Sequence, residues 1–195
     1  MSQSPMSDVI TNHRSACSGF SAIVAQGEGS WRNPSPCSEW DARGVVEHVI
    51  GFHDELLLRP TGTEPARPED DPVARWALTV PAIRSAVETA SSKDLRERPV
   101  PAEVDLDQLL PALTAEVLTH TWDLAKAIGV DPHLDPELCQ VSYDFMRANE
   151  AQVRSSGMFG AAVSGPNNTD AVTQLIAILG RDPGWTPSGM GAENR

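Results

Sequence analysis

The sequence has little of what extracellular and nucleic-acid-binding domains rely on. Its three cysteines, Cys17, Cys37 and Cys139, are odd in number, widely spaced and without a CxxC pair, which excludes a disulfide framework and a cysteine-based zinc knuckle. A reducing cytoplasm is the expected location. No run of five basic residues occurs, and 27 acids against 15 Lys and Arg leave a formal charge of −12. Phosphate backbones and anionic headgroups repel such a surface, so neither a nucleic acid nor a membrane is an expected partner. No stretch approaches the length of a membrane span, and residues 1–20 lack the basic and apolar regions of a signal peptide,. A soluble, unexported protein is expected. With one Tyr, four Phe and almost no period-two alternation of β-branched residues, strands have no signal,.

What is present is helical periodicity. Val9, Ile10, Cys17, Phe20, Ile23 and Val24 predict a helix over 7–26, stopped by Gly27 and Gly29,. Asp41 can cap a second over 41–58, whose apolar positions include Val45, Val49, Phe52 and Leu56,. A Pro-rich acidic linker, RPTGTEPARPEDDP, precedes a third over 72–91, with Pro81 expected to kink it,. After an extended connection at 93–104, Asp105 and Gln108 stand at capping-box spacing and open a fourth over 106–128, ended by Gly129,. Asp135 and Pro136 start a fifth that runs to Gly157, and a last short helix opens at Thr169 and closes before Gly180,. MFGAAVSGPNN reads as a loop between them. The chain is therefore expected to be all-α, a single domain over 1–195 with an ordered core over about 8–185 and a flexible tail over 186–195. Four long helices suffice for a bundle with extra short helices, and such bundles build ligand sites from inward side chains. Leu109, Leu113 and Trp122 give the fourth helix more apolar surface than one core stripe needs, which predicts a homodimer.

The segment AEVLTHTWDLAKAIG, residues 115–129, sets Glu116 and His120 four apart on that fourth helix. Positions four apart lie one turn up the axis and about 40° round it, so both side chains can reach one ion. Chance alone supplies about one such pair from this composition, and His133 with Glu137 is another. Zinc needs three or four ligands. His48, on the apolar stripe of the second helix, offers a third, although a lone core histidine is more often hydrogen-bonded than ligating. Together His48, Glu116 and His120 make a two-His, one-carboxylate set of the kind found in catalytic zinc sites and in open iron or nickel sites.

The runs SPCSEWDARGVVEHVIG, AEVLTHTWDLAKAIG and AILGRDPGW, in that order, resemble the DinB-like four-helix metalloproteins, and within them the actinobacterial group related to the N-terminal domain of mycothiol-dependent maleylpyruvate isomerase. The resemblance covers about residues 8–185. It implies a metal held by one His of the second helix and a pair four apart on the later long helix, positions that match His48, Glu116 and His120. Family members often carry His where Glu116 stands, whereas the isomerase branch carries Glu. It also implies a low-molecular-weight thiol, mycothiol, as cosubstrate. The isomerase adds a C-terminal domain that helps to build its active site, and this chain ends before one could fold. The resemblance thus carries the metal site further than maleylpyruvate isomerisation itself.

Three protein ligands leave an ion an open position. The expected ion is divalent, zinc first and nickel second, since imidazole suits both. The activity that follows is mycothiol-dependent transfer or isomerisation on a small electrophile, with Glu116 as catalytic residue as well as ligand. Metal-dependent hydrolysis and a non-catalytic metal-binding module are the alternatives. Asp123 could orient His120 or pair with Lys126. Trp122 reads as core or interface packing, His53 as partly buried or surface, and His13 and His133 as surface. Cys37 reads as a small buried hydrophobe or a reactive thiol. Phe159 could cover the site or merely core, and Arg181 reads as part of a turn after Gly180.

Overall fold

A computed structural model describes residues 5–91, 104–155, 161–163 and 170–187. Its helices are α1 (Pro5–Val24), α2 (Ala42–His53), α3 (Pro72–Ser91), α4 (Leu106–Ile128), α5 (Pro136–Ala148), α6 (Glu150–Ser155) and α7 (Ala171–Ile178), with a π-helical turn, Asp54–Leu58, continuing α2. Among the described residues there is no strand, only an isolated bridge between Pro34 and Asp41. The fold is all-α, as expected of a DinB-like protein. No helix of the described residues is long and apolar enough to cross a membrane.

Local chemistry sets the helix ends. The Asp41, Asp105 and Asp135 carboxylates accept from the first free backbone N–H groups of α2, α4 and α5, which such caps stabilise by about 1 kcal/mol each. Gly129 closes α4 at φ 78°, a conformation that costs glycine little,. The second helix ends where expected only through the π turn, in which Arg67 grips Asp54 with two hydrogen bonds of 2.7 and 2.8 Å. The fifth helix breaks at Asn149, which leaves the helical conformation, and α6 carries the chain on. α7 is capped by Asp170, whereas Thr169 lies outside the described residues. So do residues 92–103 of the expected extended connection, most of MFGAAVSGPNN, and the tail from 188.

α4 is the hub. It packs against α1, α2, α3, α5 and α7, and from Leu113 to Ala125 every residue on it is buried. A helix covered on all sides must be apolar, or internally paired, all round. This corrects the apolar-surface reading: Leu113 and Trp122 are buried within the chain and Leu109 half-buried, because α5 and α7 cover the face that four helices alone would leave open. On the other side of the bundle Trp76 of α3 meets Phe20 of α1 edge-on at 4.8 Å and donates its indole N–H to the Ser21 hydroxyl at 2.8 Å.

Candidate metal centre

The α2–α4 contact brings His48, Glu116 and His120 together. Their donor atoms all lie within 4.8 Å of one another. His120 Nε2 is 2.9 Å from Glu116 Oε2, and His48 Nε2 is 3.9 Å from the same oxygen. Two ligands of one tetrahedral ion at ordinary bond lengths stand about 3.3 Å apart, so these two distances bracket what an ion requires. Glu116 and His120 are buried, whereas the His48 side chain is 25% exposed. The group is therefore closed toward α4 and reaches solvent at His48.

His120 is oriented from behind. Its Nδ1 donates to Asp123 Oδ2 at 2.9 Å, which leaves Nε2 of the neutral ring to point its lone pair toward Glu116 and His48. Asp123 is itself held: Arg181 donates Nε and Nη2 to the same oxygen at 3.2 and 3.1 Å. The sequence reading placed Asp123 behind His120 as one of two options and took Arg181 for a turn residue. Its side chain turns back 58 residues along the chain, and no local pattern signals that.

The charges follow from this wiring. Burial disfavours ionisation of Glu116, yet its hydrogen bonds with His120 and His48 outweigh burial and hold its carboxyl down at about 2. Burial likewise opposes charge on His120, but Asp123 and Glu116 outweigh it and lift the ring to about 9. Between themselves the groups thus hold a proton where a cation would also be favoured.

The SPCSEW turn roofs the group. Trp40 stacks on His48 with ring centroids 4.1 Å apart and 22° between planes, and Phe52 flanks the same ring at 5.6 Å. Buried Ser35 donates to the Trp40 carbonyl at 2.7 Å and accepts from the Cys37 N–H at 3.2 Å. Asn33 ties the loop to the end of α4 through the Ala127 carbonyl at 3.0 Å. Gly44 makes room beneath, since a Cβ there would stand 2.8 Å from that of Trp40. Cys37 is half-buried. Burial foremost raises its thiol above its ordinary value, with a backbone hydrogen bond at Glu39 and the Arg181 charge pulling the other way.

Two histidines are not where the sequence placed them. His13 is buried at 2% exposure and His53 at 1%. His13 shares a stripe with Ile10, Cys17 and Phe20, and α1 lays that stripe on α4 and α3. The i, i+3, i+4 spacing was the available signal. His53 stays apart from the His48 group, as about 140° round α2 requires, and faces His13 instead. Trp122 is core, with Lys126 Nζ 5.5 Å from its ring. His133 is exposed, as expected, and Phe159 lies outside the described residues.

The model of the mycothiol maleylpyruvate isomerase N-terminal domain family matches residues 13–125, a span that includes His48, Glu116, His120 and Asp123. The chain belongs to this family. It is also similar to two uncharacterized proteins of Mycobacterium tuberculosis, one from each of two strains. Each is 31% identical over 179 residues, covering 89% of this chain and 98% of the relative. No solved structure gives a significant match.

Proposed function

We propose that His48, Glu116 and His120 bind one divalent transition metal, zinc first and nickel second, in a cytoplasmic enzyme that uses a low-molecular-weight thiol of the mycothiol class to transfer to, or isomerise, a small electrophile. One observation carries this: the donor atoms of a two-His, one-carboxylate set converge from two helices, with a carboxylate fixing one ring from behind. Membership of the mycothiol maleylpyruvate isomerase N-terminal domain family supports a thiol of this class as the cosubstrate. A divalent ion with three protein ligands supplies an open position at which a thiol loses its proton and gains nucleophilicity.

Charge balance favours a thiolate there. Glu116 supplies one negative charge against the two of a dication, and Asp123 is neutralised by Arg181, so one further anion makes the buried group neutral. Glu116 thereby tunes the charge as well as holding it. His48 presents the exposed side, where Trp40 stacks on its ring and Phe52 flanks it and so narrow the approach.

The test uses Co²⁺-substituted protein, with the spectrum compared before and after the thiol is added. Mycothiol should produce a sulfur-to-metal charge-transfer band and raise the melting temperature, as a ligand of the native state must. Dithiothreitol tests access alone. If millimolar mycothiol gives neither response, thiol chemistry is rejected in favour of hydrolysis or a non-catalytic role.

A further inference from the structure

A second group of metal-ligating side chains lies apart from the first, where His53 at the end of α2 meets His13 of α1: His13, Cys17 and His53, all three buried. His13 Nε2 and His53 Nε2 are 3.2 Å apart, and Cys17 Sγ is 3.6 Å from His13 Nε2. The partners fix both tautomers. His53 Nδ1 lies 2.6 Å from the Val49 carbonyl, which can only accept, so that nitrogen carries a proton,. The Thr114 hydroxyl donates its proton to the Leu110 carbonyl at 2.6 Å. Toward His13 Nδ1, 3.3 Å away, it can therefore only accept, and that nitrogen is protonated too,. In neutral rings both Nε2 atoms then bear lone pairs, and these meet at 3.2 Å.

Such a contact is repulsive unless something positive sits between. A proton would leave an imidazolium whose polar partners are a carbonyl, a hydroxyl and a thiol, none of them an anion. Both rings are buried, which opposes that charge,. A metal ion fares better because Cys17 can become its counter-ion. Tetrahedral ligation with ordinary zinc bond lengths puts two imidazole nitrogens about 3.3 Å apart and a nitrogen and a thiolate sulfur about 3.6 Å apart. The two observed separations, 3.2 and 3.6 Å, match these, and the third pair of donors lies within 4.8 Å.

We propose that His13, Cys17 and His53 form a second metal site, for a thiolate-accepting cation of the zinc class, independent of the His48 group. On binding, the Cys17 S–H bond breaks, its proton leaves to solvent and a sulfur–metal bond forms, with no change in oxidation state. Access comes from a cavity of about 380 Å³ between α1 and α3, lined by His13, Cys17, Ser18, Ile83 and Glu88 among others. Ser18 and Glu88 are exposed, so the cavity opens at the surface. It also has room for a fourth ligand, a water or a small anion.

Cobalt titration of the full-length metal-free protein tests this. The wild type should take up two equivalents, one of them with a sulfur-to-cobalt charge-transfer band. The band should survive in Cys37→Ser and in a His48→Ala, His120→Ala variant, and vanish in Cys17→Ser together with one equivalent of ion. X-ray absorption of the zinc-loaded wild type, which needs no variant to fold, should show a sulfur neighbour at about 2.3 Å. Uptake of a single equivalent without a sulfur signal, a band that persists in Cys17→Ser, or a band lost in Cys37→Ser would each overturn the proposal. Because the His48→Ala, His120→Ala arm removes only the other group, failure here is distinguishable from failure there.

Discussion

The proton held between His120 and Glu116 would make the proposed metal binding at the His48 group a proton-release reaction with an unusual range. With the ring lifted to about 9, only about one molecule in a hundred has His120 neutral at pH 7, so ligation must displace a proton at a cost of about 2.7 kcal/mol. Glu116, held at about 2, is ionised throughout and contributes no slope. Apparent affinity should therefore rise almost tenfold per pH unit well above the ordinary histidine range. Between pH 7 and 8.5 the gain works out at about 25-fold, against about 1.3-fold for a histidine of ordinary pKa 6.5. Chelator competition in non-coordinating buffers reads this directly, with the Cys17→Ser variant removing any contribution from the second group. A gain below about threefold would refute the arrangement of Asp123, His120 and Glu116 as the source of the raised pKa.

Asp123→Asn keeps the shape but removes the anion behind His120 and in front of Arg181, whose side chain is only 12% exposed. Breaking such a pair costs about 3–5 kcal/mol and should lower the melting temperature by about 6–20 °C. Metal affinity should also fall by about 10–100-fold, and unchanged affinity in the folded variant would contradict the orienting role. In acid the metal-free protein should lose stability through His53. Its folded pKa, about 4, is depressed from the ordinary 6.5, so its contribution is complete above about pH 6.5 and is lost as pH falls toward 4. Urea unfolding should show a loss of about 2 kcal/mol between pH 7 and 5, and equal stability at both would contradict a neutral buried ring.

Much of this was legible because it is local. α3 and α4 begin and end where their caps and apolar spacing placed them, since Asp105 and Gly129 act within a turn of the ends they set. Glu116 and His120 needed only helical geometry to be paired, and His48 an apolar stripe and a family resemblance. What escaped depends on distant packing. Arg181 reaches Asp123 across 58 residues. The fourth helix is expected to carry spare apolar surface because the cover given by α5 and α7 depends on tertiary arrangement. His13, expected at the surface, is buried because α1 lays its stripe with Cys17 and Phe20 on α4 and α3.

Metal content of the purified protein, measured by elemental analysis in the wild type and in a folded His48→Ala, His120→Ala variant, tests the central claim most directly. Removing both imidazoles leaves Glu116 alone, and one carboxylate does not hold a transition metal against buffer. Binding at this group predicts that the variant loses one full equivalent of a divalent transition metal while circular dichroism stays unchanged. Equal metal content in the two proteins would contradict it.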